Sequence, residues 1–275
     1  MRNNQDRLNA IQFENPENFA QEQQFLPRGV ESVPMPSKGL FYPKSSILSQ
    51  ISTLEIKEMT TVEEDILASE NNLKDGTALD KFAKSVLVNK SINPMDLLPC
   101  DFDALVIKAR ITGYGPDYPI HVTCNKCFNK FEYQLDANEL LKSCPLTEEK
   151  ITNGTFELYL QRIDTTLTLK ILNRRDLENL EKLKKEKQNK KVPETNRSDR
   201  LVEMIVAVNG KTDFETKAKL ITEVLKPMDT RYIYSKYSEV CPKLDTNCKI
   251  KCSNPECENI NDVEVAITAK FFWPY

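Results

Sequence analysis

Ile120-His-Val-Thr-Cys-Asn-Lys-Cys-Phe-Asn-Lys-Phe-Glu-Tyr-Gln-Leu135 is the stretch on which the reading of this chain turns. Residues ahead of Cys124 alternate apolar and polar, a Cys-x-x-Cys turn follows, and the alternation then resumes. Two half-buried strands joined by a tight cysteine turn carry that pattern. It returns far downstream in Lys249-Ile-Lys-Cys-Ser-Asn-Pro-Glu-Cys-Glu-Asn-Ile-Asn-Asp-Val-Glu-Val-Ala-Ile267. Two such knuckles facing each other bring together four thiolates, those of Cys124, Cys127, Cys252 and Cys257. Zn²⁺ takes that donor set in closed structural sites, so a structural Zn²⁺ is the expected cofactor.

Free thiols and a disulfide are the competing readings. A redox pair needs a βαβ setting, whereas Cys127 runs into strand-like Phe128-Asn-Lys-Phe131. Closing so long a loop costs roughly 4 kcal/mol of chain entropy, while structural zinc binding yields on the order of 10–16 kcal/mol. Metal wins that comparison. The second pair is more widely spaced and contains Pro255, which leaves the geometry of that half open. Cys248, on the same strand face as Cys252, and His121, beside the first knuckle, are the residues that would replace a named ligand. Otherwise His121 packs near the metal, and Cys100, Cys144 and Cys241 are bystanders.

Composition bounds the rest. A chain of 275 residues has ample length for a core, as one large domain or two small ones. A net charge of −3 gives no global basic field for nucleic acid. No apolar run approaches membrane-spanning length, and the first residues lack the apolar stretch of a secretory signal, so eight cysteines are expected in a reducing compartment. With a single histidine, any Ser-His-Asp or Cys-His unit would have to use His121. Gly113-Tyr-Gly115 lacks the third glycine of a dinucleotide fingerprint, and no phosphate-binding loop is present. No enzyme and no small-molecule substrate are expected.

Along the chain the reading is α+β. Residues 1–30 form a polar arm dotted with Phe13, Phe19 and Phe25, either a plain tail or a segment that orders on a neighbour. Residues 31–119 form a mainly helical part. It has a strand around Leu54 and Ile56, and helices from a Thr61–Glu64 capping box, over 77–88 and over 101–110. Asp101, Asp103 and Arg110 read as capping or solvent-exposed charges. The first knuckle occupies 120–144. Residues 145–240 form a hairpin-and-helix middle part, with strands over 155–160 and 165–172 and a helix opening at Asn173. Further helices are expected over 200–208, from a Thr212–Glu215 capping box, and over 228–237. The second knuckle and a last strand over 263–272 occupy 241–275, so that a zinc-ribbon-like pair joins 120–135 to 249–270. From Arg174 to Arg200 ten basic residues meet six acidic ones. No aromatic residue is interleaved there for base stacking, so a solvated helix end is the better reading than a nucleic-acid contact.

Five features stand in one order: Ser37-Lys-Gly-Leu-Phe-Tyr-Pro43; Glu58-Met-Thr-Thr-Val-Glu-Glu-Asp-Ile-Leu67; Asp96-Leu-Leu98 leading to Ile107-Lys-Ala-Arg-Ile-Thr-Gly-Tyr-Gly115; the first knuckle; and the second knuckle with Phe271-Phe-Trp-Pro274. The combination resembles the baseplate hub protein family of T-even-type contractile-tailed bacteriophages, hub subunits or hub assembly factors. The likeness spans roughly 33–274 and is weakest through the basic middle. It implies a non-enzymatic role in building the tail baseplate, with other tail hub proteins as partners, in the host cytoplasm during assembly or in the virion tail. The competing class is a nucleic-acid-binding zinc-ribbon protein, which should gather its lysines and arginines around the knuckles.

Overall fold

The computed structural model describes residues 28–146 and 149–273. Most of the expected arm, residues 1–27, and the terminal Pro274-Tyr275 lie outside the described residues. The architecture is α+β: helices and small antiparallel sheets, with four cysteines gathered at one point.

Two strands open the described chain. β1 (Val30–Pro34) pairs antiparallel with β2 (Thr53–Lys57), placing Val33 opposite Leu54. Val33, Leu54 and Ile56 are all buried, which is the expected one-sided strand. Three helices follow: α1 (Thr61–Ala68), α2 (Glu70–Lys74) and α3 (Ala78–Val86). The cap of α1 lies one residue earlier than its sequence suggests. Thr60 is the N-cap, and Glu63 closes the capping box.

α4 (Pro99–Tyr114) runs through the middle of this half, touching β1, β2 and α3. Pro99 fits its first turn because the missing N–H would be unpaired there anyway. The helix is buried almost all round: Phe102, Ala104, Leu105, Val106, Ile107 and Ala109 meet the core on several faces. Asp101 and Arg110 lie on it too, and both are buried. The capping or solvent-exposed reading of these two charges is therefore corrected. Asp101 accepts hydrogen bonds from the Ser37 backbone N–H (3.0 Å), the Ser37 hydroxyl (2.6 Å) and the Tyr42 hydroxyl (2.6 Å). Tyr42 in turn accepts from the Leu98 N–H. Arg110 donates to the carbonyls of Gly115, Asp117 and Phe271.

Ser37-Lys-Gly-Leu-Phe-Tyr-Pro43 is thus a plug seated on the start of α4. Gly39 has φ +70°, and a Cβ there would stand 2.6 Å from the Ile51 backbone. Gly154 closes the plug from outside, where a Cβ would meet the Tyr42 backbone at 2.8 Å. Both positions need glycine because the two backbones come too close for a side chain.

β5 (Thr155–Leu160) and β6 (Thr165–Lys170) form the expected hairpin. A third strand, β7 (Ile205–Val208), joins β6. Residues 200–208 therefore do not make one helix. α6 (Asn196–Met204) stops and Ile-Val-Ala-Val continues as strand, since a short β-branched apolar run suits a buried strand as well as a helix. α5 (Arg174–Asn189) is capped by Asn173. α7 (Phe214–Lys219) is capped by Asp213, not Thr212, and α8 (Pro227–Val240) takes Pro227 in its first turn.

The expected last strand is shorter than 263–272. That strand, β9 (Ile260–Glu264), stops early, and a 3₁₀ turn, Ala269–Phe272, carries Phe271 and Phe272 back into the core. Phe272 meets Phe82 of α3 edge-on at 4.8 Å, and Phe271 lies 4.8 Å from Tyr118. One continuous core runs from Val33 to Phe272, and a second, small cluster surrounds the cysteines.

Candidate metal centre

The two knuckles are built alike. β3 (Asp117–Thr123) and β4 (Lys130–Asp136) pair antiparallel, with Thr123 opposite Lys130. β8 (Asn247–Lys251) and β9 (Ile260–Glu264) do the same, with Lys251 opposite Ile260. In the first turn the Cys124 N–H donates to the Asn129 carbonyl at 2.9 Å; in the second, Cys252 N–H donates to the Asn259 carbonyl at 2.9 Å. Each acceptor is the asparagine two residues after the second cysteine. The extra residues of the second turn are absorbed by a bond from Cys257 N–H to the Asn254 carbonyl, so the wider spacing enlarges the loop without changing how it closes. Phe128 takes φ 59° to turn the shorter one.

A neighbouring stretch delivers the second knuckle to the first. Cys144 N–H donates to the Lys243 carbonyl and Asp245 N–H to the Lys142 carbonyl, each at 2.9 Å, so 243–245 lies antiparallel along 142–144. The four expected sulfurs then meet. Cys124 and Cys257 sulfurs are 3.7 Å apart, Cys127 and Cys252 sulfurs 3.6 Å, and all four lie within 4.8 Å of one another. Cys124, Cys252 and Cys257 are buried, Cys127 is half-buried, and Phe131 packs against the group.

Neither stand-in residue reaches the cluster. His121 is exposed on β3 opposite Glu132, and Cys248 packs on the main core. Cys100 and Cys241 also belong to the main core, while Cys144 sits in the 142–144 segment. All eight cysteines are free thiols.

Asparagines are the part of the site that counting cysteines misses. The buried Asn261 accepts from the Asn125 N–H (3.0 Å) and the Asn259 side chain (3.0 Å), and donates to the Ile250 carbonyl. Asn259 also points its amide at the Cys124 sulfur at 3.6 Å, and Asn129 reaches Ser253. One knuckle is thereby clamped to the other independently of the sulfurs. The signal available in the sequence is the Cys-x-Asn after each pair, Cys127-Phe-Asn129 and Cys257-Glu-Asn259.

The thiols are not equivalent. Backbone N–H groups at Cys127 and Lys126 turn toward the Cys124 sulfur and pull its pKa down to about 6. Burial pushes Cys252 up to about 11. A bound cation favours the thiolate form of its cysteine ligands. Four sulfur donors within 4.8 Å of one another, three of them on buried cysteines, could hold a metal ion.

A family model described as T4 bacteriophage base plate protein matches residues 41–273, from the plug on α4 to the 3₁₀ turn at the far end. No curated protein and no solved structure matches the chain.

Proposed function

This chain belongs to the T4 bacteriophage base plate protein family, and from that premise we propose that it is a non-enzymatic hub structural or assembly protein of the phage tail. In this reading it binds other tail hub proteins, during assembly in the host cytoplasm or in the finished virion tail. Cys124, Cys127, Cys252 and Cys257 hold a structural Zn²⁺ that fastens two distant segments. The observation that carries the metal half is the sulfur cluster, all within 4.8 Å. Tetrahedral zinc with Zn–S near ~2.3 Å spaces its sulfurs about 3.8 Å apart, close to the 3.6 and 3.7 Å of the two paired contacts. Zinc bound this way supplies cross-linking and no reaction. Asn259, donating toward the Cys124 sulfur, and Asn261, accepting from the Asn125 N–H, join the second knuckle to the first.

The nucleic-acid reading finds no support at the ribbon. Residues 117–136 and 247–264 carry four lysines against seven carboxylates. The basic residues between 174 and 200 lie on α5 and α6 and the turn between them, on different elements from either knuckle. As a check on the structural reading, elemental analysis of purified protein should return one zinc per chain. Affinity capture of tagged protein from infected cells should recover tail hub components. Recovery of nucleic acid in their place, or a metal-free protein with unchanged melting, overturns the corresponding half.

A further inference from the structure

A groove of about 920 Å³ lies between α5, α6 and α8 and is far from neutral. Leu177, Leu180 and Tyr234, all half-buried, form its floor. Arg197, Arg200 and Arg231 stand exposed at its rim, and none of the three forms an ion pair among the described residues. Of the two rim carboxylates, Asp199 is already held by Lys187. An apolar floor beneath three arginines outside any ion pair describes a surface built to receive an acidic segment with bulky apolar anchors.

We propose that the occupant is this chain's own residues 1–27. That segment carries four carboxylates, Asp6, Glu14, Glu17 and Glu22, against two arginines, and it offers Phe13, Phe19 and Phe25 as anchors. Its charge is opposite to that of the rim, and its anchors suit the floor. Reach is no obstacle for two of the three. Fully extended from Arg28, the chain carries Phe13 up to about 50 Å and Phe19 up to about 30 Å away at ~3.3 Å per residue, but Phe25 only about 10 Å. A folded chain of this length has a radius of gyration near ~19 Å, so Phe13 and Phe19 are the anchors with reach. Attachment at Arg28 gives the segment an effective concentration in the millimolar range toward its own groove. Even a weak fit is therefore occupied within one copy in preference to a second copy at micromolar concentration. Phenylalanines that would otherwise dock on a neighbour have a nearer host.

Photo-crosslinking in the full chain tests this. p-Benzoylphenylalanine is placed in turn at positions 13 and 19, irradiated, and the cross-linked peptides are mapped by mass spectrometry. The expected result is a cross-link within one chain to the segments around 177–184, 197–200 and 227–234. Charge reversal at Arg197, Arg200 and Arg231 should lower its yield at least about fivefold, as should 0.5 M salt. Replacing Asp6, Glu14, Glu17 and Glu22 by Lys should have the same effect while altering none of the described residues, which covers the case where the groove variant folds poorly. Cross-links to another face, a dimer-sized product showing a second copy in the groove, or a yield indifferent to the Lys replacements would each overturn the proposal.

Discussion

Asp101 shows how much a single buried carboxyl can organise. Burial pushes its pKa up, and the donors from Ser37 and Tyr42 pull the other way without reversing the shift. Tyr42 itself is pushed up by burial and by Asp101, so it stays a donor at neutral pH. Tyr42→Phe removes the hydroxyl that joins Asp101 to the Leu98 N–H and leaves both with a partner fewer. A loss of roughly 1–3 kcal/mol is expected in urea unfolding at pH 7; a change within error would show that water replaces the hydroxyl. Glu63 makes the contrasting case. Burial raises it, but donors from Ser85, Thr60 and Arg28 outweigh burial and hold it down at about 2. A depressed carboxylate stabilises the fold fully above its ordinary pKa of 4.5, and that contribution fades as pH falls from 4.5 toward 2. Glu63→Gln should therefore cost on the order of 1–3 kcal/mol at pH 7. The gap between the two proteins should narrow in unfolding curves taken from pH 5 down to pH 3. A gap that is constant with pH would assign the effect to packing.

At the scale of elements, the knuckles were legible because their information is local. Cysteine pairs, turn residues and alternation all sit within a few positions of one another, and the asparagine after each pair was there to be read. Where the signal depended on distant partners it was lost. Ile205–Val208 is apolar enough for helix or strand, and only pairing with β6 decides it. Asp101 and Arg110 read as solvent-exposed because charges on helices usually are. Their partners Ser37, Tyr42 and Phe271 are far along the chain. The same locality shapes how the ribbon should fail. Two-stranded hairpins are marginal alone, and this pair has its own small cluster apart from the main core. Cys124→Ser, or a strong chelator, should abolish metal binding. Hydrogen exchange should then show lost amide protection in β3, β4, β8 and β9, with a lowered melting temperature. Asn261→Ala keeps every sulfur and removes the clamp, so its metal affinity should fall by roughly 10–100-fold. Wild-type affinity in that variant would show that the sulfurs align without it.

On the scale of the whole molecule, the chain's far end closes the fold. The segment from β8 to Phe272 is held at one side by the pairing of 243–245 with 142–144 and at the other by Phe271 and Phe272. Both rings lie in the core, with Trp273 half-buried beside them. Phe272 packs on Phe82, so α3 depends on a residue that follows the second knuckle. Metal loss and loss of this clasp should then differ in kind. Removal of the proposed Zn²⁺ should loosen only the ribbon tip. Phe272→Ala opens a cavity between α3 and the 3₁₀ turn and should cost roughly 3–5 kcal/mol of the main core. Hydrogen exchange on that variant should show protection falling together in α3, α4 and β2 while the ribbon keeps its metal at saturating zinc. If protection instead falls only in β8 and β9, the clasp serves the knuckle and not the core, and the far end is an accessory to the metal site.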